Sequence, residues 1–362
     1  MKTAFLYDRV NKWGGAERTL LALHEVFPNA PLFTAVYSTE NAPWAKVFPK
    51  VIPTFLQKIP FTKDKHELLG TFTPIAFENL DLTGFDLIIS VTSEAAKGVI
   101  VQPPTKHICY CLTPTRYLWS GYDIYFRNPL LKLISKPVVD YLRVWDKIAA
   151  QRPDKMIAIS HAVQKRIKKY YNRPSEVIFP PVELDFFKNN FSNKNGKEKR
   201  EKFFLVVSRL VPYKMVDLAV SAFNELGLPL IIVGTGSEEE KLKNMAKSNI
   251  KFVGHLTDTK LADYYKKCAA FIFPQEEDFG IVALEAQAAG APVIAYKAGG
   301  ALDTVIEGKT GVFFDKQNKK SLIKAVKKFE KLSFNQKDLI KNAERFSKER
   351  FKREILRITK YG

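Results

Sequence analysis

The side chains best placed to do chemistry lie in Phe271–Tyr296, FIFPQEEDFGIVALEAQAAGAPVIAY. An apolar strand ends at Pro274. An acidic loop, Glu276-Glu277-Asp278, follows, then Phe279-Gly280, and the pattern predicts a helix from about Ile281 to Ala289. Open α/β sheets bind ligands at the carboxyl ends of their strands. A helix starting there presents unpaired amides and a partial positive charge, which suit phosphate. Glu277 falls in the loop, while Glu285 falls on an otherwise apolar helix face among Val282, Ala286, Ala288 and Ala289. A buried carboxylate is costly unless it is partnered, and a ribose diol can donate two hydroxyls to one carboxylate. The competing reading is a glutamate on the helix surface, and the pattern alone leaves both open.

These residues need strands and helices to carry them. Short apolar runs alternate with helical patterns along the chain, which predicts βα units and parallel sheets. In the first half, Thr3–Tyr7, Leu32–Val36, Leu87–Val91, His107–Cys111 and Lys155–Ile159 read as buried strands. In the second half, Phe203–Val207, Leu230–Val233, Lys251–Phe252, Ala270–Phe273 and Pro292–Ala295 do the same. Between the halves, Lys188–Lys202 is polar and rich in Asn and Lys, so it reads as a linker. Two domains follow: 1–190, and 199–335 with a basic helix over 336–362 expected to cross back to the first, anchored by Phe346, Phe351, Ile355 and Ile358. Ser237 to Glu240 fits a capping box. Gly290 followed by Pro292 marks a helix stop.

At 362 residues the chain is long for one core and comfortable for two. No run of about 18 apolar residues predicts a membrane span. The opening MKTAFLYDRVNKWGG lacks the apolar stretch of a signal peptide, so the expected location is the cytoplasm. Cys109, Cys111 and Cys268 are odd in number and scattered, which argues against a disulfide framework. Cys109 and Cys111 alternate within an apolar run and read as buried strand residues. The formal charge is +19, and residues 101–200 carry 19 Lys and Arg against 8 Asp and Glu, a net +11. Such a block could face nucleic acid, anionic lipid or phosphate-bearing substrates, or simply be a solvated surface.

The segment around Glu277 and Glu285 resembles the E-x7-E motif of the retaining family 4 glycosyltransferases, which have the GT-B fold. The resemblance covers nearly the whole chain. Gly14-Gly15-Ala16-Glu17-Arg18 follows the first strand, and Ile157-Ala-Ile-Ser160 opens the last helix of the first domain. Pro180-Pro-Val-Glu-Leu-Asp185 precedes the linker, and Ser208-Arg209-Leu-Val-Pro-Tyr-Lys214 follows the first strand of the second domain. Val233-Gly-Thr-Gly236 and Phe252-Val-Gly254 come next. The flavour of HICYCLTPTRYLW with PQEEDFGIVALEAQAAG is similar to the branch that includes mannosyltransferases of surface-polysaccharide and O-antigen assembly.

The resemblance implies two facing Rossmann-like, doubly wound domains, the first on the acceptor side and the second on the donor side. It implies transfer of a hexose with retention and without a metal. The donor is a nucleotide-diphosphate sugar, GDP-mannose favoured and a UDP-sugar as the other candidate; the acceptor is a glycan or lipid-linked glycan. Arg209 and Lys214 would clamp the diphosphate, Glu277 would hold a donor-sugar hydroxyl beside the amides of Phe279 and Gly280, and Glu285 would bind the ribose. Gly14 and Gly15 would let the backbone approach the phosphates. Many relatives carry His where this chain has Leu112, so Thr113, Thr115 or Arg116 would have to substitute, or the sugar differs at that end. His107 reads as structural, and His161 as a helix-start or surface residue.

Rival motifs fail. Gly308-Lys309-Thr310 lacks the earlier glycine of a P-loop, no G-x-G-x-x-G follows Tyr7 or Val233, and no Asp-x-Asp occurs. The alternatives are a nucleotide-sugar epimerase of the same architecture, or a basic nucleic-acid or membrane-binding module. Nucleic acid is not the expected partner. Within the basic block, Tyr125–Arg152 mixes leucines, isoleucines and valines with Arg127, Lys132, Lys136, Arg143 and Lys147. That pattern fits peripheral attachment to an anionic inner membrane face; the competing reading is an ordinary core helix of the first domain with a wet basic side.

Overall fold

A computed structural model describes residues 1–59, 70–188 and 201–360. The polar stretch read as a linker lies mostly outside the described residues. The chain forms two compact units: Met1–Pro180 with Phe351–Gly362, and Pro181–Arg350. Composition had set these divisions at 190, 199 and 335. Packing accounts for the difference. Phe187 is buried against the Tyr265 ring, 5.9 Å between centroids, and Asn342 donates to Gln287 at 2.7 Å, so both flanking helices belong to unit 2.

In unit 1 the strands are β1 (Thr3–Tyr7), β2 (Leu32–Thr34), β3 (Val51–Pro53), β4 (Leu87–Thr92), β5 (Lys106–Cys111), β6 (Lys155–Ala158) and β7 (Glu176–Val177). They pair in parallel in the order β3-β2-β1-β4-β5-β6-β7. β1 is buried at every position, as expected of a strand covered on both faces. The helix Lys348–Lys360 supplies unit 1 with Phe351, Ile355 and Ile358, all at most 2% exposed. Phe351 meets Tyr110 edge to face at 5.8 Å.

Unit 2 repeats the plan with β8 (Phe204–Val207), β9 (Leu230–Val233), β10 (Ile250–Gly254), β11 (Ala270–Phe273), β12 (Val293–Tyr296) and β13 (Gly311–Phe314). Its order is β10-β9-β8-β11-β12-β13, again all parallel. One apolar cluster joins β8, β9, β11, β12 and β13 to the helices Val216–Leu226 and Lys319–Phe329. Among the described residues no helix is long and apolar enough to cross a membrane.

Three strands had no prediction: β3, β7 and β13. All three are edge strands, and β3 and β7 run to only three and two residues, too short for a periodic signal. The predicted capping box does not form. The helix there is Glu239–Met245, so the N-cap is Glu238 and not Ser237, with no side-chain cap; Glu238 N–H donates to Leu210 O at 2.9 Å. Gly290 does end its helix, with φ 78°, after Ile281–Ala288.

Cys109, Cys111 and Cys268 are buried free thiols, and burial pushes Cys109 up to about 11. His107 is fully buried, with Nε2 2.8 Å from Ser90 Oγ and its backbone N–H donating to Asp154 at 2.7 Å. Burial, against the pull of Asp154, lowers its pKa from 6.5 to about 3. The folded chain therefore holds this ring neutral where the unfolded chain would protonate it. The associated stability is present above the unfolded value and is lost as pH falls toward the folded one. Urea unfolding at pH 7 and pH 5 should show wild type losing on the order of 2 kcal/mol more than His107→Gln over that interval. Equal losses would mean that His107 titrates normally in the fold.

Candidate functional site

In unit 2 the strand order reverses between β8 and β11, which are neighbours although two strands intervene in sequence. Loops leaving the carboxyl ends of such strands turn to opposite faces of the sheet and leave a crevice. The loop after β8 carries Arg209 and Lys214; the loop after β11 carries Glu277. Lys214 and Glu277 meet as an ion pair, with side chains 14% and 21% exposed. Gln275 Nε2 also donates to Glu277 Oε1, at 2.8 Å. Arg209 is exposed on the same loop as Lys214 and donates to Tyr213 Oη at 2.5 Å.

Glycines let these loops approach. A Cβ on Gly234 would overlap the carbonyl of Ser208, and one on Gly236 the carbonyl of Leu210. The loop after β9 thus lies backbone on backbone against the Arg209 loop, joined by Leu210 N–H to Thr235 O at 2.9 Å. On the other side, a Cβ on Gly299 or Gly300 would overlap the backbone of Glu277 or Phe279. Gly300 N–H donates to Glu277 O at 2.8 Å, fixing the acidic loop. Lys214 ends a 3-10 turn, Pro212–Lys214, and the next residue, Met215, has φ 51°. A left-handed residue with a side chain costs about 1 kcal/mol or more. The packing of Met215 against the unit 2 core offsets that cost.

Gly280, with φ 91°, is the N-cap of the helix Ile281–Ala288, and a Cβ there would sit 2.8 Å from the Phe273 ring. Phe279 is buried against Phe346, 5.6 Å between centroids. Glu285 lies one turn into that helix and is 3% exposed, so it is not a surface glutamate. Lys214 and Glu277 are thus in contact, Arg209, Phe279 and Gly280 share their loops, and Glu285 follows on the adjoining helix.

Gly14 and Gly15 lie in unit 1, at the start of the helix Gly15–Val26 that follows β1. Unit 1 has its own reversal, between β1 and β4. Sequence reasoning missed the groups there. Asp8 accepts from the N–H groups of Ser93, Glu94 and Ala96 at 2.7, 3.1 and 3.0 Å, and from Thr92 Oγ1 at 2.7 Å. Arg9 pairs with Glu94. Burial lifts the Glu94 carboxyl above its ordinary value against the opposing pull of Arg9. The available signal was Asp8-Arg9 directly after the first buried strand. Gln275 and Gly299-Gly300 were missed in the same way, each directly after a strand or beside the acidic loop.

Of the residues near Leu112, Thr115 is already engaged: it donates to Asp146 at 2.9 Å within a buried pair of Asp146 and Lys97, 2.6 Å apart. Thr113 Oγ1 is buried with no partner among the described residues. Ser160 caps the helix His161–Tyr171 through Val163 N–H at 3.1 Å, and His161 is exposed at its first position. Among the described residues no group of three or more His, Cys, Asp or Glu could hold a metal ion. A cavity of about 290 Å³ in unit 2 is lined by 182–184, Glu344 and 347–349, none of them a predicted site residue.

Residues 187–346 match the family model of glycosyl transferases group 1. The chain is 28% identical to an uncharacterised glycosyltransferase of Methanocaldococcus jannaschii over half of each chain; it spans about half the length of that curated relative. It is 32% identical to a GDP-mannose-dependent alpha-(1-6)-phosphatidylinositol monomannoside mannosyltransferase of Mycobacterium tuberculosis, over 39% of this chain and 42% of that one. The structure resembles the crystal structure of Anabaena HepE in complex with UDP, with a TM-score of 0.70 at 18% identity, covering 99% of this chain and 100% of the other. The fold is GT-B, built of two Rossmann-like parallel-sheet units.

The glycine contacts separate two effects. Gly234→Ala meets both a left-handed φ and the Ser208 carbonyl, whereas Gly254→Ala meets only the φ of 69°, with nothing within 4 Å. Chemical denaturation should show Gly254→Ala costing about 1–2 kcal/mol, and Gly234→Ala costing more than about 3 kcal/mol. Similar losses would mean that the loop after β9 is free to move away from the Arg209 loop.

Proposed function

We propose that this protein is a retaining, metal-independent glycosyltransferase. It moves a hexose, mannose favoured, from a nucleotide-diphosphate sugar to a glycan or lipid-linked glycan acceptor in surface-polysaccharide assembly. Unit 2 holds the donor and unit 1 the acceptor. The observation that carries the reading is the Lys214–Glu277 pair across the β8/β11 reversal, with Arg209 beside it. The match of 187–346 to glycosyl transferases group 1 supports transfer over epimerisation. GDP-mannose is favoured by the name of the mycobacterial relative, and a UDP-sugar is the other candidate because HepE binds UDP.

The chemistry follows from the donor set. The bond between the anomeric carbon and the diphosphate oxygen breaks, and its electron pair leaves with the diphosphate. The acceptor oxygen bonds to the anomeric carbon on the same face and loses its proton to a donor phosphate oxygen. Negative charge builds on the leaving group, and preorganised cations stabilise it there. Lys214 has three N–H donors; one is held by Glu277, which leaves two for phosphate. Arg209 adds a planar fork suited to phosphate. Glu277 Oε1 takes Lys214 and Gln275, which leaves Oε2 for a sugar hydroxyl, with the amides of Phe279 and Gly280 beside it. Glu285 takes the ribose diol.

Gly14 and Gly15 give unit 1 a stretch of backbone that a phosphate can approach. Gly14 has φ 179°, which any residue adopts. A Cβ there would meet only the carboxylate end of Glu17, at 3.2 Å. Glu17 is buried and accepts from Tyr7 Oη at 2.6 Å, so this tight contact gives glycine a packing reason beside the phosphate-approach role.

Arg209→Ala and Lys214→Ala should each lower turnover of a nucleotide sugar by about 3 kcal/mol in barrier, with little change in melting temperature. Near-normal turnover in both would remove them from the mechanism. In calorimetry, Glu285→Gln should weaken binding of the free nucleoside diphosphate, while Glu277→Gln should bind it nearly as wild type yet transfer sugar poorly. Equal diphosphate affinity in wild type and Glu285→Gln would overturn the ribose assignment.

A further inference from the structure

The helix Pro129–Ala149 in unit 1 presents three faces. Val139, Leu142, Asp146 and Ala149 face the fold and are buried. A second face is apolar and turned to solvent: Leu130, Ile134, Tyr141, Val144 and Ile148 are 64, 67, 63, 60 and 55% exposed, and Leu133 beside them is 68% exposed. The spacing 130, 134, 141, 148 keeps one line along a helix of 3.6 residues per turn. The third face carries Lys132, Lys136, Arg143 and Lys147. Ordinary soluble surfaces scatter such large apolar groups singly.

We infer that this face is a docking surface for an anionic lipid bilayer, in which the helix lies flat with its apolar stripe among the acyl chains and its basic side at the headgroups. Charge selects this occupant. With Arg127, five cations flank the stripe against the two solvent-reached acids Asp123 and Asp140. Lys132 and Lys136 pair with those acids at 2.6 and 3.2 Å, but such exposed pairs are weak and exchange readily for headgroup phosphates. Two copies joined along this stripe would bring their basic flanks together, where like charges repel. Tyr125 and Tyr141, 59% and 63% exposed, suit the boundary between acyl chain and headgroup. Asn128 holds the helix start by accepting from Leu130 N–H at 2.9 Å, so the stripe is formed before any surface is met. The lipid-linked acceptor of the proposed function rests on the transferase reading and gives the surface its use, but the surface itself stands on the exposed stripe and its flanking charge.

The test uses the full chain with phosphatidylglycerol vesicles and with pure phosphatidylcholine vesicles. Wild type should co-sediment with the anionic vesicles and release as salt rises. The double variant Leu133→Glu, Ile134→Glu alters two exposed positions and should keep the wild-type melting temperature while binding vesicles at least about tenfold more weakly. Arg127→Glu with Lys136→Glu should weaken binding severalfold and flatten its salt dependence. Failure of wild type to bind anionic vesicles at low salt overturns the proposal, as does unchanged binding by the apolar double variant. A wild-type dimer that the double variant makes monomeric, without vesicle binding, assigns the stripe to a second copy and likewise overturns it. Calorimetric nucleoside-diphosphate binding, expected to be equal in wild type and the apolar variant, reports separately on the transferase reading.

Discussion

The site in unit 2 depends on one constraint: loops leaving adjacent parallel strands must touch at the backbone before their charged side chains can meet. β8 and β11 are neighbours in the sheet but send their chains in opposite directions. Left alone, the loops would be two mobile segments at the rim. Gly234 and Gly236 press the loop after β9 onto 208–210, and Gly299 and Gly300 press the loop after β12 onto 277–279. The crevice walls are therefore propped from outside by their neighbours. Lys214 and Glu277 then meet with only about a fifth of either side chain reached by solvent. At that depth an ion pair is less screened than at the surface, and its geometry is held by the scaffold.

Unit 1 meets the same constraint with different chemistry. At its reversal a single carboxylate, Asp8, gathers the hydroxyl of Thr92 at the end of β4 and three amides from the segment that follows. That loop is held by hydrogen bonds to charge, where unit 2 combines backbone hydrogen bonds with close contact of glycines and backbone. Below it, Lys97 and Asp146 are buried together. Burial alone would push the lysine down, but the carboxylate beside it holds it above its ordinary value. Asp146 also accepts from Thr115, Trp119 and Tyr171, at 2.9, 2.7 and 2.8 Å. Removing either charge would leave the other stranded, which is the costly way to disturb such a pair. The pair also ties the helix Pro129–Ala149 to the turn Ala96–Gly98 that follows β4.

How much of this was legible in the sequence depended on the range of each signal. Buried central strands were readable because both faces are covered and the apolar runs are continuous, as in Thr3–Tyr7 and Ala270–Phe273. Edge strands such as Glu176–Val177 left no run to read. Ser237 to Glu240 looked like a helix start because local spacing satisfied the rule. The structure starts the helix one residue later, at Glu239, with Glu238 as its N-cap. The same holds for the site. Glu285 stood out because charge sits oddly on an apolar helix face, and Glu277 because its acidic loop directly follows a strand end. Asp8 and the glycine pair at 299–300 act through partners distant in sequence, and Gln275 through Glu277 two residues on; their types alone are unremarkable.

The distribution of charge sharpens the reading of both surfaces. Residues 201–300, which carry Arg209, Lys214, Glu277 and Glu285, sum to −1, while 101–200 sum to +11. The Lys214–Glu277 contact thus lies in a stretch of chain without net basic charge, and its cation acts at contact range, where salt screens less than at the open surface. The excess charge lies where side chains are mostly solvated, and fields of that kind act over a Debye length and fade with salt. The helix Pro129–Ala149 carries Lys132, Lys136, Arg143 and Lys147 against Asp140 and Asp146, and it also turns its leucines and isoleucines outward. A charge field and an exposed apolar stripe on one element make sense together when the surface they meet is both anionic and able to receive hydrocarbon.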